Sequence, residues 1–95
     1  MLFIWDPEKA AQNVRKHGVS FELAQTVFDD PFQLSVLDAK KHDEERWITL
    51  GRSADMKTLV VVHTYRVMEN NREVIRIISA RKATRKEVRQ YEEGI

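Results

Sequence analysis

Ninety-five residues make room for one domain with a modest core. There is no cysteine, which removes disulfide frameworks and thiolate metal sites and suits a reducing compartment. A formal net charge of +1 on a chain that is 33% charged excludes a protein that coats nucleic acid by bulk charge, so the placement of the charges matters more than their sum.

Leu2 to Trp5 open the chain as a short apolar stretch. MLFIWDPEKA is too short and too soon charged for a secretory signal, and no apolar run approaches the ~18 residues of a spanning helix, so a cytoplasmic chain is expected. Asp6 offers an N-cap and Pro7 a first helical position; Ala10, Ala11 and Val14 form an apolar stripe, and Gly18 ends the helix. Ser20 caps a second helix with Phe21, Ala24, Val27 and Phe28 on one face, stopped at Asp29-Asp30-Pro31.

Phe32 to Leu37 reads as a short strand and the polar run DAKKHDEE over 38–45 as a loop. Arg46–Arg52, Thr58–Val67 and Arg72–Arg81 are β-rich and separated by the turn-like SADMK and MENN, which predicts an antiparallel meander. Thr84-Arg85-Lys86-Glu87 is a capping box that opens a last helix to about Glu93. A helical pair, a small antiparallel sheet and a closing helix make one α+β domain over residues 1–95.

Period-two alternation sorts the strands into faces. With hairpins centred near Asp55 and Asn70, one face collects Ile48, Leu50, Val60, Val62, Ile75 and Ile77, the surface expected under the helices. The other collects Trp47, Thr49, Leu59, Val61, His63, Tyr65, Arg76 and Ile78. In this register Trp47, His63 and Arg76 lie side by side on the open face, where they could hold a phosphodiester and stack a base. Plain sheet decoration, with Arg76 covering Tyr65 or Trp47 by a cation–π contact, is the alternative. Arg66 and Arg81 fall at strand ends on the opposite parity, too far apart in that register to clamp one phosphate; either a bulge and twist bring them to one groove, or they serve separate places along it.

The three glycines make no phosphate loop, and His17, His42 and His63 lack metal-ligand spacing, so neither a metal nor a cofactor is expected. A metal-free RNA cut needs a base, an acid and cations for the charge growing on phosphorus. His63 and Glu45 are candidates for acid–base work, and Arg66, Arg76 and Arg81 for the charge. Read as structure alone, His63 is a satisfied sheet histidine and Glu45 a salt-bridge partner of Arg46 or Lys41. Residues 72–91 carry Arg72, Arg76, Arg81, Lys82, Arg85, Lys86 and Arg89 against Glu73 and Glu87. Such a local basic surface on a near-neutral chain suits a specific polyanion contact.

FIWDPEKAAQNVRKHGVSFELAQTVFDDP, EERWITLGRS, LVVVHTYR and IRIISARKATRKEVRQYE, in that order, resemble the BrnT family, toxins of bacterial type II toxin–antitoxin pairs. The resemblance covers nearly the whole chain. It implies a RelE-like fold and an endoribonuclease activity that inhibits translation. It also implies a cognate BrnA-like antitoxin with a ribbon-helix-helix DNA-binding domain, a two-plus-two assembly with it, and repression of the shared operon. The arginines that end HTYR and sit in ISAR, Arg66 and Arg81, are those the resemblance ties to toxicity. Trp47 stands where an aromatic is usual, and His63 where tyrosine or histidine is. Arg46, Trp47, Arg76 and Lys82 are expected on the RNA surface, and Arg85, Lys86 and Arg89 against the antitoxin. The competing readings are a non-catalytic module that docks RNA or a partner through the same basic face, and a scaffold that only bridges antitoxin chains.

Overall fold

The computed structural model describes residues 1–40 and 43–94, so part of the loop expected over 38–45, with Lys41 and His42, lies outside them. The chain forms β1 (Leu2–Ile4), α1 (Pro7–His17), α2 (Phe21–Gln25) with a 3-10 turn over Thr26–Asp29, β2 (Leu34–Leu37), β3 (Trp47–Arg52), β4 (Thr58–Val67), β5 (Glu73–Lys82) and α3 (Arg85–Glu93). The helix ends follow from local chemistry. The Asp6 carboxylate accepts from the Glu8 amide at 2.9 Å, and Gly18 closes α1 at φ +70°, a conformation that favours glycine. Ser20 caps α2, and Thr84 and Glu87 close a reciprocal capping box on α3.

The five strands lie in the order β1-β5-β4-β3-β2. From β2 to β5 the sheet is the expected antiparallel meander, but Leu2–Ile4 adds a parallel edge strand on β5, so the sheet is mixed. Three residues carry no period to read, which is why alternation does not reveal this strand.

The first hairpin has the expected register, with Trp47 opposite His63. The second does not. His63 faces Ile77, Thr64 faces Arg76 and Arg66 faces Val74; past an irregularity, Val62 faces Ser79 and Val60 faces Arg81. Ile78 is the extra residue of a bulge. Arg76 therefore lies on the opposite face from Trp47 and His63.

On β3 and β4 the face under α1 and α2 is the reverse of the one expected, while Ile75 and Ile77 of β5 lie in that core as expected and Leu50 and Val60 lie under α3. Val19, Phe21, Ala24 and Val27 pack on Leu59, Val61, Ile75, Ile77 and Ala80. Thr58–Val67 is apolar at both parities, so alternation alone does not choose a side. A polar chain makes the choice affordable: Ser35 Oγ lies 2.7 Å from Thr49 Oγ1, which lies 2.6 Å from His63 Nε2, while His63 Nδ1 is 3.1 Å from the Thr64 carbonyl. A carbonyl only accepts, so Nδ1 carries the proton and Nε2 accepts from Thr49. Buried Thr49 and His63 thus satisfy one another.

The stripe expected on α1 is only partly right. Ala10 packs on the core, Val14 is exposed, and Asn13 is buried instead. Its side-chain amide donates to the carbonyls of Val19 and Ala80, each at 2.8 Å, and its oxygen accepts from the Ala80 amide at 3.1 Å. β1 pairs only with residues 74–76 of β5, so Asn13 acts as the missing neighbour for Ala80 further along that edge.

On the other face α3 seats Tyr91 against Leu50 and Val60. The Tyr91 hydroxyl donates to Asp30 Oδ2 at 2.6 Å, and the Arg52 guanidinium lies 5.5 Å from the ring centroid. Asp30 also accepts from the Arg52 and Phe32 amides, at 2.8 and 2.9 Å. A Cβ at Gly51 would stand 2.6 Å from Val27 Cγ1, so the 3-10 turn rests directly on β3.

Asn13→Ala leaves the Ala80 amide and two carbonyls without partners in a dry site. The variant should lose about 3 kcal/mol in urea denaturation. A loss within experimental error would mean that Asn13 does not pin β5.

Candidate functional site

With α1 and α2 on one side and α3 over Leu50 and Val60 on the other, one end of the second face stays open. Ile4, Glu44, Thr64, Arg66, Val74 and Arg76 line a hollow of about 190 Å³ there. Strand pairing builds it. Thr64 and Arg66 share a face of β4, Arg76 faces Thr64 and Val74 faces Arg66, so Arg66 and Arg76 are diagonal neighbours, roughly 7–8 Å apart.

Arg76 Nη2 donates to Glu44 Oε1 in an ion pair. That hydrogen bond is the foremost cause holding the Glu44 carboxyl below its ordinary value, with the charges of Arg76, Arg46 and Arg66 adding to it against a smaller desolvation. Glu44 is thus bonded to one guanidinium and lies within the charge fields of two more. Arg46 carries a buried Nε with no partner among the described residues. A larger hollow of about 650 Å³ continues along the β4–β5 hairpin between Leu2, Arg66, Met68, Arg72 and Val74.

His63 is not on this surface. It is 4% exposed, with the Phe28 ring edge-on at 4.8 Å and both ring nitrogens engaged. Burial pushes its pKa down, opposed by the Thr64 carbonyl, so the ring is neutral at physiological pH. Trp47 lies beside it, lining a mostly apolar hollow of about 280 Å³ with Phe28, Tyr65 and Ile75. The aromatic and cationic groups expected to share one face are therefore divided between two.

Arg81 does share the face of Arg66, turned there by the bulge. Its register partner Val60 is six residues from Arg66 along β4, or ~20 Å at 3.3 Å per residue. The two do not meet at one phosphate. Arg81 instead makes a two-pronged pair with Glu87, Nη1 to Oε1 at 2.8 Å and Nη2 to Oε2 at 2.9 Å, and Glu87 Oε1 also accepts from the Thr84 amide. Lys82 is exposed at the end of β5, opposite Leu59 and away from the cluster. Arg85, Lys86 and Arg89 are exposed on α3. Glu45 is exposed beside Arg46, and no described residue bonds to it.

Sequence reasoning missed Glu44 and Thr64. Glu44 lies in an acidic run that reads as a solvated loop; only the fold carries it across to Arg76, thirty-two positions away. The faulty second register hid Thr64. Among the described residues no three histidine, aspartate or glutamate side chains converge as a metal site, and no helix is long and apolar enough to cross a membrane.

A family model described as ribonuclease toxin, BrnT, of type II toxin–antitoxin system matches residues 5–87. The crystal structure of the Brucella abortus ribonuclease toxin BrnT aligns with a TM-score of 0.61 at 23% identity, over 90% of this chain and 100% of that one, which is a likeness of fold. No curated protein matches.

The Arg81–Glu87 pair makes an acid-sensitive contribution to stability. Its guanidinium is the main reason that the Glu87 carboxyl sits at about 2 against an ordinary 4.5. A carboxyl depressed in the folded state stabilises the fold above its unfolded pKa, and that contribution is lost as pH falls through the folded value. The melting-temperature gap between wild type and Glu87→Gln should be widest near neutrality and close between about pH 4.5 and 2. A gap that stays constant over this range would show that the pairing carries no proton linkage.

Proposed function

Since the chain belongs to the BrnT family of ribonuclease toxins of type II toxin–antitoxin systems, we propose that it is a metal-independent endoribonuclease whose cutting site is the open hollow lined by Arg66 and Arg76. The observation that carries this reading is that Arg66 and Arg76 line one open hollow on the sheet, with Glu44 ion-paired to Arg76 inside it. Guanidinium groups hold phosphate oxygens through two parallel bonds and stay charged at every relevant pH.

In the reaction the ribose 2′-oxygen attacks the adjoining phosphorus, its proton passes to a base, and the bond from phosphorus to the 5′-oxygen breaks. The products are a 2′,3′-cyclic phosphate and a 5′-hydroxyl, the leaving oxygen taking its proton from water. Arg66 and Arg76 balance the charge that grows on the phosphoryl oxygens, where preset donors act most strongly. Arg46, whose charge is also felt at Glu44, adds to the positive field. We assign the 2′-proton to Glu45, which is exposed and next to Arg46 and Glu44 in the chain. We leave His63 out of the chemistry, because both ring nitrogens are engaged and the hollow it borders lies on the opposite face of the sheet from Arg66 and Arg76. Trp47 and Lys82, on other surfaces, lie outside this site. Arg81 we assign to holding α3 through Glu87.

The family implies an antitoxin. We assign the exposed row Arg85, Lys86 and Arg89 to it, since like charges at positions 85 and 89 weaken an isolated helix and suit an acidic neighbour. The partner on this reading is BrnA-like, with a ribbon-helix-helix domain, and forms a two-plus-two complex that represses its own operon. The fold belongs with the RelE-like class, and cutting messenger RNA stops translation in the cytoplasm.

Purified protein with labelled RNA should give cleavage that survives EDTA. Arg66→Ala and Arg76→Ala should each lower the rate by about 10²–10³, the usual cost of one charge-stabilising donor. Cutting that needs a divalent ion, or arginine variants that cut normally, would exclude the mechanism. Tight binding without any cut would favour a docking module.

A further inference from the structure

The arginine cluster is not an empty anion site. The Glu44 side chain already occupies it, paired with Arg76 and within the fields of Arg46 and Arg66. It reaches the hollow from the segment before β3, and its side chain is 44% exposed, so it can leave without disturbing the core. A carboxylate presents two oxygens to a guanidinium much as a phosphate does. Its carboxyl is held low by Arg76, which makes it a poor proton acceptor, since a useful base has a pKa near the working pH.

We infer that Glu44 is a built-in stand-in for an RNA phosphate, occupying the arginines in the free protein and leaving them when the substrate phosphodiester arrives. The inference rests on the ribonuclease reading of this hollow. Glu44 sets how tightly RNA is held and plays no part in the bond-making step. The backbone stays put; only an exposed side chain changes partner. Each binding event breaks one ion pair before it makes others, so the carboxylate lowers affinity for any single phosphate. It also removes a bare cationic cluster that would collect unrelated polyanions.

The test uses an RNA oligonucleotide in which 2′-O-methyl groups block cleavage. Glu44→Gln should bind it about threefold or more tightly than wild type at low salt, with the gain shrinking as salt rises. Asp43→Asn, the same charge change one residue away, should leave affinity close to wild type. On the matching cleavable RNA, Glu44→Gln should lower KM and keep kcat. Three results would overturn the inference: unchanged affinity in Glu44→Gln, an equal gain in Asp43→Asn, or a kcat that falls by about 10²–10⁴ with KM intact, the signature of a lost base. If Arg66→Ala binds the oligonucleotide as well as wild type does, the hollow is not the RNA site and both readings fail. If Arg66→Ala loses binding while Glu44→Gln gains none, only the role of Glu44 fails.

Discussion

One inserted residue in β5 decides which side chains can meet. Ile78 has no partner across the ladder, so the pairing sum shifts by one between His63 and Val62. Before it, Arg76 and Val74 point to the open side. After it, Ala80 turns into the core at 0% exposure and Arg81 joins the arginines' face. Without the insertion Arg81 would stand opposite Leu59 beneath the helices, an unpaired buried charge that costs several kcal/mol by a rough reckoning. Asn13 fixes the result. Its amide gives Ala80 both of the hydrogen bonds that β1 is too short to supply.

The two faces of the sheet consequently have different chemistry. The helix-covered side is mostly apolar, and its buried polar groups bond to each other in the line Ser35, Thr49, His63 and the Thr64 carbonyl. The imidazole there is a packing element that brings its own hydrogen bonds. The other side is divided. One end is closed by α3, tied at Arg81–Glu87 and Tyr91–Asp30, and the other holds three guanidinium groups around Glu44. A chain of this size gains much by letting one arginine secure a helix while its neighbours stay available to an anion. Charge placement, more than any imidazole, is what the open end has to offer.

Much of this was legible in the residues and some of it was not. Asp6, Ser20, Thr84 and the helix-ending Gly18 announce their helices because capping is local chemistry. The first hairpin register is readable because its centre and its alternation agree. The second is not, because LVVVHTYR is apolar on both parities and a bulge leaves no mark in composition. The parallel strand at Leu2–Ile4 is three residues long, below what periodicity resolves. Glu44 belongs to the arginines only through the fold, and the pairing of Arg81 with Glu87 crosses from strand to helix. The motifs did identify the family, since they survive a wrong assignment of faces.

Gly51 belongs to a segment, LGRS, that helps to mark the family, yet its part is purely spatial. Val27 leaves no room for another atom there. A genetic hunt for harmless variants of this toxin would therefore recover changes at Gly51 alongside changes at the arginines. The two groups would look alike on a plate of surviving colonies while arising from unrelated defects, one of a molecule that cannot assemble and one of a molecule that assembles but does no damage.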